Sequence, residues 1–186
     1  MSDIPFLAAR HYRPAGRTRV DLVVIHSAEI GESIDGAEAL MRGFARQRLD
    51  AHGKEIVSSA HYNVDADSVT QSVRDEDIAF HAPGANANGI GIELCGRARQ
   101  TAAEWDDDFS RSVIARAANL TAALCRRWSI PATFVPADGL LRGVRGITMH
   151  STVSDAFKKS SHRDPGPGFP LQRFLDLVAT YTQGVA

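Results

Sequence analysis

The chain has 186 residues, with 21 basic and 22 acidic side chains mixed along it and a formal net charge of -1. That length supports one domain with a substantial core. The even charge excludes the broad field by which a protein holds nucleic acid or an anionic membrane, so a small neutral or zwitterionic substrate fits better.

Residues 1–19 carry Arg10, Arg13, Arg17 and Arg19 but no apolar segment of a secretory signal, and they read as an irregular lead-in. No run approaches the ~18 apolar residues of a membrane span. Val20 to His26 is apolar on both parities, the pattern of a strand covered on both faces. From Ile34 to Asp50, Ala37, Leu40, Met41, Phe44 and Ala45 recur at helical spacing, with Arg42, Arg46 and Arg48 outside. Ser58–Asp65 and Ser68–Val73 form a hairpin about a polar turn, and residues 75–88 are a loop containing His81. Gly89–Gly96 is again strand-like, with Glu93 inside it and glycines that admit close approach. Glu104 to Trp128 is the longest helical pattern, ended by Ser129-Ile130-Pro131. Pro131–Arg145 reads as loop, Gly146–His150 as the last strand and Pro170–Thr182 as a closing helix. Cys95 and Cys125 fall in an expected strand and helix, which reads as reduced core thiols and synthesis in the cytoplasm. Strands interleaved with helical patterns predict an α/β single domain, a central mixed β-sheet flanked by about three helices.

Two of these strands end in histidine, His26 and His150, and a Pro/Gly-rich turn brings Asp164 back after the second. Two imidazoles and a carboxylate from separate elements, with room for water, are the ligand set of a catalytic zinc. Spacing alone leaves open that each is a hydrogen-bonded scaffold residue. Glu93 is costly to bury in an apolar run without a cation or donors, so it either faces solvent or is placed to act as a base. His162, two positions before Asp164, is placed either to hold an oxyanion or to sit solvated in its loop. His61 and His81 either point into the cleft or serve the scaffold. The acidic run Asp106–Asp108 fits the start of a helix, where it complements the macrodipole.

Six ordered motifs carry a resemblance: Val24-Ile-His-Ser27, Ser59-Ala-His-Tyr62, Phe80-His-Ala82, Asn88-Gly-Ile-Gly-Ile-Glu-Leu94, Thr148-Met-His150 and Asp164-Pro-Gly-Pro167. In order and spacing the chain resembles the type 2 N-acetylmuramoyl-L-alanine amidases, a zinc family that includes phage endolysins, cell-wall recycling amidases and peptidoglycan recognition proteins. The resemblance covers roughly residues 20–180. It implies one zinc held by His26, His150 and Asp164, with Glu93 as general base and His162 where many relatives carry Lys. It also implies that His61 aligns with a catalytic Tyr of some branches, and it makes His61, His81 and Asn88 expected substrate contacts.

The expected function is zinc-dependent hydrolysis of the amide between N-acetylmuramic acid and L-alanine in peptidoglycan, by a phage lysis enzyme. A cytoplasmic recycling amidase acting on soluble anhydro-muropeptides, or a peptidoglycan-binding module without catalysis, are the alternatives. The catalytic domain is expected over 20–182, with a short tail at 183–186. The chain is read as a monomer with a peptidoglycan or muropeptide substrate, no nucleic acid and no membrane insertion. It would be made in the cytoplasm without a signal peptide and act on the wall after release.

Overall fold

The computed structural model describes residues 4–184. In chain order these form β1 (Tyr12–Arg13), β2 (Leu22–Ser27), α1 (Gly36–Ala45), β3 (Tyr62–Val64), β4 (Val69–Gln71), β5 (Ile78–Ala79) and β6 (Gly89–Leu94). After a 3-10 turn over Glu104–Asp106 come α2 (Asp108–Trp128), α3 (Ala137–Leu141), β7 (Gly146–Met149), α4 (His150–Phe157) and α5 (Leu171–Gln183). Five strands make one mixed sheet in the order β4-β3-β6-β2-β7, with β3 and β4 as its antiparallel pair. The remaining neighbours are parallel, so β6, β2 and β7 present their carboxyl ends along one edge.

Register decides which side chains share a face. Val24 lies opposite Gly91 and Thr148, and His26 lies opposite Glu93. Alternation then puts Val23, Ile25, Ile90, Ile92 and Leu94 on one face, and Leu22, Val24, His26, Gly89, Gly91 and Glu93 on the other. The apolar face buries against α2 and α5 through Val113, Ile114, Leu120, Phe174 and Val178. At about 1.5–3 kcal/mol for each large side chain removed from water, this is the main stabilising layer. The opposite face is covered by Ala82, Ala85, Leu140 and Val153, from the loop before β6 and from α3 and α4.

Local chemistry fixes the helix ends. The Asp107 carboxylate accepts the Ser110 N–H at 2.7 Å and caps α2, a bond worth about 1 kcal/mol. α1 has no such cap of its own. Its Ala37 N–H donates instead to Asp65 Oδ2 at 2.9 Å, so the turn of the β3–β4 hairpin holds that helix.

Periodicity predicts three helices, and the described residues hold five. α3 lies in the segment read as loop. α4 escapes a periodicity reading because its residues are small and polar: Thr152 and Ser154 are buried with Val153, and Ser151 N–H donates to Asp164 O at 2.9 Å. His150, expected to end a strand, opens this helix. α1 stops at Ala45 rather than Asp50, because Leu49 turns to bridge Glu55. The lead-in contains a strand, β1, paired with β5. At the other end Gln183, the first residue of the expected tail, closes α5. Residues 1–3 and 185–186 of those two segments lie outside the described residues. Cys95 and Cys125 are buried free thiols, pushed up by burial to about 12 and about 11. Among the described residues no helix is long and apolar enough to cross a membrane.

Candidate active site

The carboxyl ends of β2, β6 and β7 bring His26, Glu93 and His150 together. His26 and His150 stand one register step beyond the pair Ile25 and Met149, with ring centroids 4.6 Å apart. Asp164 reaches them from the loop after α4, which packs tightly on the segment at residues 98–100. A Cβ on Gly166, which has φ +87°, would collide with the Ala98 carbonyl. His26 Nδ1 lies 3.2 Å from Asp164 Oδ2 and His150 Nδ1 lies 3.2 Å from Asp164 Oδ1. One donor atom from each of these three buried residues lies within 4.8 Å of the other two, close enough to share a metal ion.

The electrostatics suit that set. Burial alone would raise the Asp164 carboxyl, but hydrogen bonds from His150 and His26 and their charge outweigh it and hold the group well below the usual range. Burial lowers the His26 imidazole against the opposing pull of Asp164, which favours the neutral form a metal needs. His26 Nε2 lies 3.0 Å from His81 Nδ1, so the proton that Nδ1 shares with Asp164 without a metal can pass to an outward-donating Nε2, which would free Nδ1 as a ligand. On the second imidazole, His150 Nε2 is 3.4 Å from Ser160 Oγ.

Glu93 points to the same spot, with Oε1 4.0 Å from His26 Nδ1. Its Oε2 is buried without a hydrogen-bond partner among the described residues. Burial, and then the negative charge of Asp164, push this carboxyl up to about 8. His162 stacks on His150 at 4.6 Å and 11°, with Nδ1 3.6 Å from Asp164 Oδ1 and its side chain 66% exposed. His81 lies over Gly91, where an added Cβ would stand 2.5 Å from its Cγ, so a glycine is required there. These residues line one cavity of about 390 Å³ whose opposite wall is apolar, built from Leu40, Phe44, Ile56, Val57 and Phe80.

Two expected substrate contacts are not brought to this cavity. His61 is fully buried behind His81, with ring centroids 5.7 Å apart. Its Nδ1 accepts the Gly91 N–H at 3.0 Å while Nε2 lies 3.2 Å from the Asp77 carbonyl. Burial and the nearby Arg17 lower it to about 3, so it is a neutral scaffold imidazole. Asn88 precedes β6 at the far end, where its carbonyl accepts the Asp21 and Leu22 N–H groups. Five residues of strand, roughly 16 Å, separate it from Glu93.

Other residues come to the cavity without a sequence signal. Arg48, read as solvent-facing on a helix, lies past the end of α1 and lines the cavity half-buried. Glu29 also lines it, in a left-handed conformation with φ +58°. Its Oε1 accepts the Ser27 hydroxyl at 3.0 Å and the Ala98 N–H at 2.7 Å.

A family model described as N-acetylmuramoyl-L-alanine amidase matches residues 16–167. The chain belongs to that amidase family. Within it, a Bacillus licheniformis protein named "Probable N-acetylmuramoyl-L-alanine amidase" is 30% identical over 87 residues. That match covers 40% of this chain and 23% of the relative's length. Among solved structures, the Staphylococcus aureus hydrolase AmiA, crystallised with its ligand, superposes with a TM-score of 0.70 at 16% identity. It covers 97% of this chain and 83% of that one. AmpD, solved as a selenomethionine derivative, gives 0.64 at 23% identity over 96% of both chains. A mutant endolysin from Bacillus subtilis gives 0.59 at 17% identity over the whole of both. At these identities the likeness is one of fold.

Proposed function

We propose that this chain is a zinc-dependent amidase that hydrolyses the amide between the lactyl group of N-acetylmuramic acid and L-alanine, acting on the bacterial wall as a phage lysis enzyme. Residues 20–182 would form its catalytic domain. The observation that carries the reading is the buried, unpartnered Glu93 oxygen beside the convergent His26, His150 and Asp164. A carboxyl kept out of water with no partner is costly unless it has a reacting group to serve.

His26 Nδ1, His150 Nδ1 and an Asp164 oxygen would hold the ion. Two imidazoles and a carboxylate suit zinc, which when bound supplies Lewis acidity and a water that ionises near neutral pH. Glu93 takes a proton from the attacking water as the new C–O bond forms at the lactyl carbonyl. It returns that proton to the alanine nitrogen as the C–N bond breaks. Burial and the charge of Asp164 raise this carboxyl in the metal-free protein, and a base strengthened in this way suits proton uptake from water. His162, open to the cavity and steadied by stacking on His150, donates an N–H to the oxygen on which negative charge gathers. His81 keeps the His26 ring turned with Nδ1 inward.

The test is zinc-loaded protein acting on purified cell walls and on soluble muramoyl peptides, with products read by mass spectrometry. New L-alanine amino groups with no new sugar reducing ends are expected, together with clearing of wall suspensions. Cleavage of soluble fragments alone would reassign the protein to recycling. Glu93→Gln should keep zinc bound while cutting turnover by about a hundredfold to ten-thousandfold; near-normal turnover removes Glu93 from the mechanism.

A further inference from the structure

Arg48 sits in the turn that follows α1 and lines the same cavity as His26, Glu93 and Asp164. Its guanidinium is held on one side. Nη2 donates to Ser58 O at 3.1 Å and to Ser58 Oγ at 2.6 Å, and the group lies over the Phe44 ring, 4.7 Å from its centroid. Among the described residues, Nε and Nη1 have no hydrogen-bond partner, and no carboxylate forms an ion pair with the group. Burial lowers its pKa, and Glu93 is the carboxylate whose field opposes that. A cation drawn partly out of water, rigidly placed and left without a counter-ion, is a site for an anion that arrives from outside.

We propose that Arg48 binds a free carboxylate on the peptide of the substrate and makes the enzyme selective for the acid over its amide at the second residue of the stem. The proposal rests on the amidase reading above. Next to the scissile bond a muramoyl peptide offers only neutral groups: the lactyl methyl, the alanine methyl and a peptide bond. The first group able to carry negative charge is the α-carboxyl of the following D-glutamate, which is joined through its side chain and is left free in some walls and amidated in others. It lies about two residues of extended chain, roughly 7 Å, from the scissile carbonyl. The cavity holds both the metal-ligand cluster and Arg48, and its apolar wall of Leu40, Ile56 and Val57 suits the two methyl groups.

The experiment compares kcat/KM of the zinc enzyme for N-acetylmuramoyl-L-alanyl-D-isoglutamate and for the isoglutamine counterpart. Wild type should prefer the acid by about tenfold or more, the size of a charge-assisted hydrogen bond. Arg48→Met should bring the ratio close to one, mainly through KM for the acid, and Arg48→Lys should retain part of the preference. Thermal melts check that each variant folds, and Arg48→Lys decides if Arg48→Met does not. Equal turnover of both substrates by wild type overturns the carboxylate site and leaves the amidase reading standing. Equal loss on both substrates in Arg48→Met makes Arg48 a scaffold residue and overturns it too. If neither substrate is cleaved, the amidase reading fails, and calorimetric binding of the two peptides then decides the site: tighter binding of the acid supports it and equal affinity overturns it.

Discussion

The two faces of the central sheet come from the same strands and do opposite things. On the α2/α5 side, Ile25, Ile90, Ile92 and Leu94 pack in one buried cluster with Val113, Ile114, Phe174 and Val178. On the other side, one residue out of step, β6 presents Gly89, Gly91 and Glu93, and β2 presents His26. Small residues there make room for imidazoles beside a carboxylate that lines the cavity with one oxygen buried. A period of two is enough to separate a stabilising layer from a reactive one within six residues.

Four experiments sharpen or break that division. The largest effect is expected from Asp164→Ala, which should lower zinc affinity by several orders of magnitude in a competition titration. Retained tight binding would mean that the ion sits elsewhere. Next, Ile92→Ala, one position from Glu93 but on the closed face, should cost about 2–5 kcal/mol in denaturant unfolding with zinc affinity nearly unchanged. A comparable loss of zinc would show that the faces are not independent. His81→Phe keeps a ring over Gly91 but removes the acceptor for His26 Nε2, so zinc affinity should fall by about tenfold to a hundredfold.

The last test is the pH dependence of the metal-free protein. His61 is lowered from 6.5 to about 3, so the stability it contributes is complete above 6.5 and drains away as pH falls toward 3. Glu93 is raised from 4.5 to about 8, so its contribution is complete below 4.5 and drains away as pH rises toward 8. His26 and His81, also lowered by burial, act in the same sense as His61, so below 6.5 the histidines together outweigh Glu93. Unfolding free energy should therefore fall as pH drops below 6.5 and, through Glu93, as pH rises from there toward 8, with limiting slopes of about 1.4 kcal/mol per pH unit for each group. Glu93→Gln should flatten the alkaline limb, and His61→Gln should make the acidic one shallower while His26 and His81 keep part of it. Unchanged limbs would contradict the burial assigned to each group.

Much of this arrangement is legible in the chain itself. Short apolar runs that end abruptly in His26 and His150 announce strand ends carrying polar cargo, and Glu93 stands out because a carboxylate in such a run demands a reason. The amphipathic stripe of α2 and the closing helix are also plain. α4 is not, because its buried face is made of Thr152, Val153 and Ser154 and its fit depends on the loop that returns Asp164. Arg48 looks like an exposed helix residue until the bridge of Leu49 to Glu55 ends that helix early and turns the guanidinium inward. For His61 and Asn88 the motifs place both residues correctly in order, yet not in space. His61 is claimed by the backbone of Gly91 on the neighbouring strand, and Asn88 sits at the wrong end of β6.

By itself the sequence determined the strands of the central sheet, the long helices α2 and α5, the residue types able to hold a metal, and the family, since all of these are encoded in local spacing. Only the tertiary structure decided which of seven histidines share a site and which serve the scaffold, and which arginine faces the cavity. The reason is physical: direction and desolvation depend on neighbours distant in the chain, and neither has a signature in the residues that undergo them.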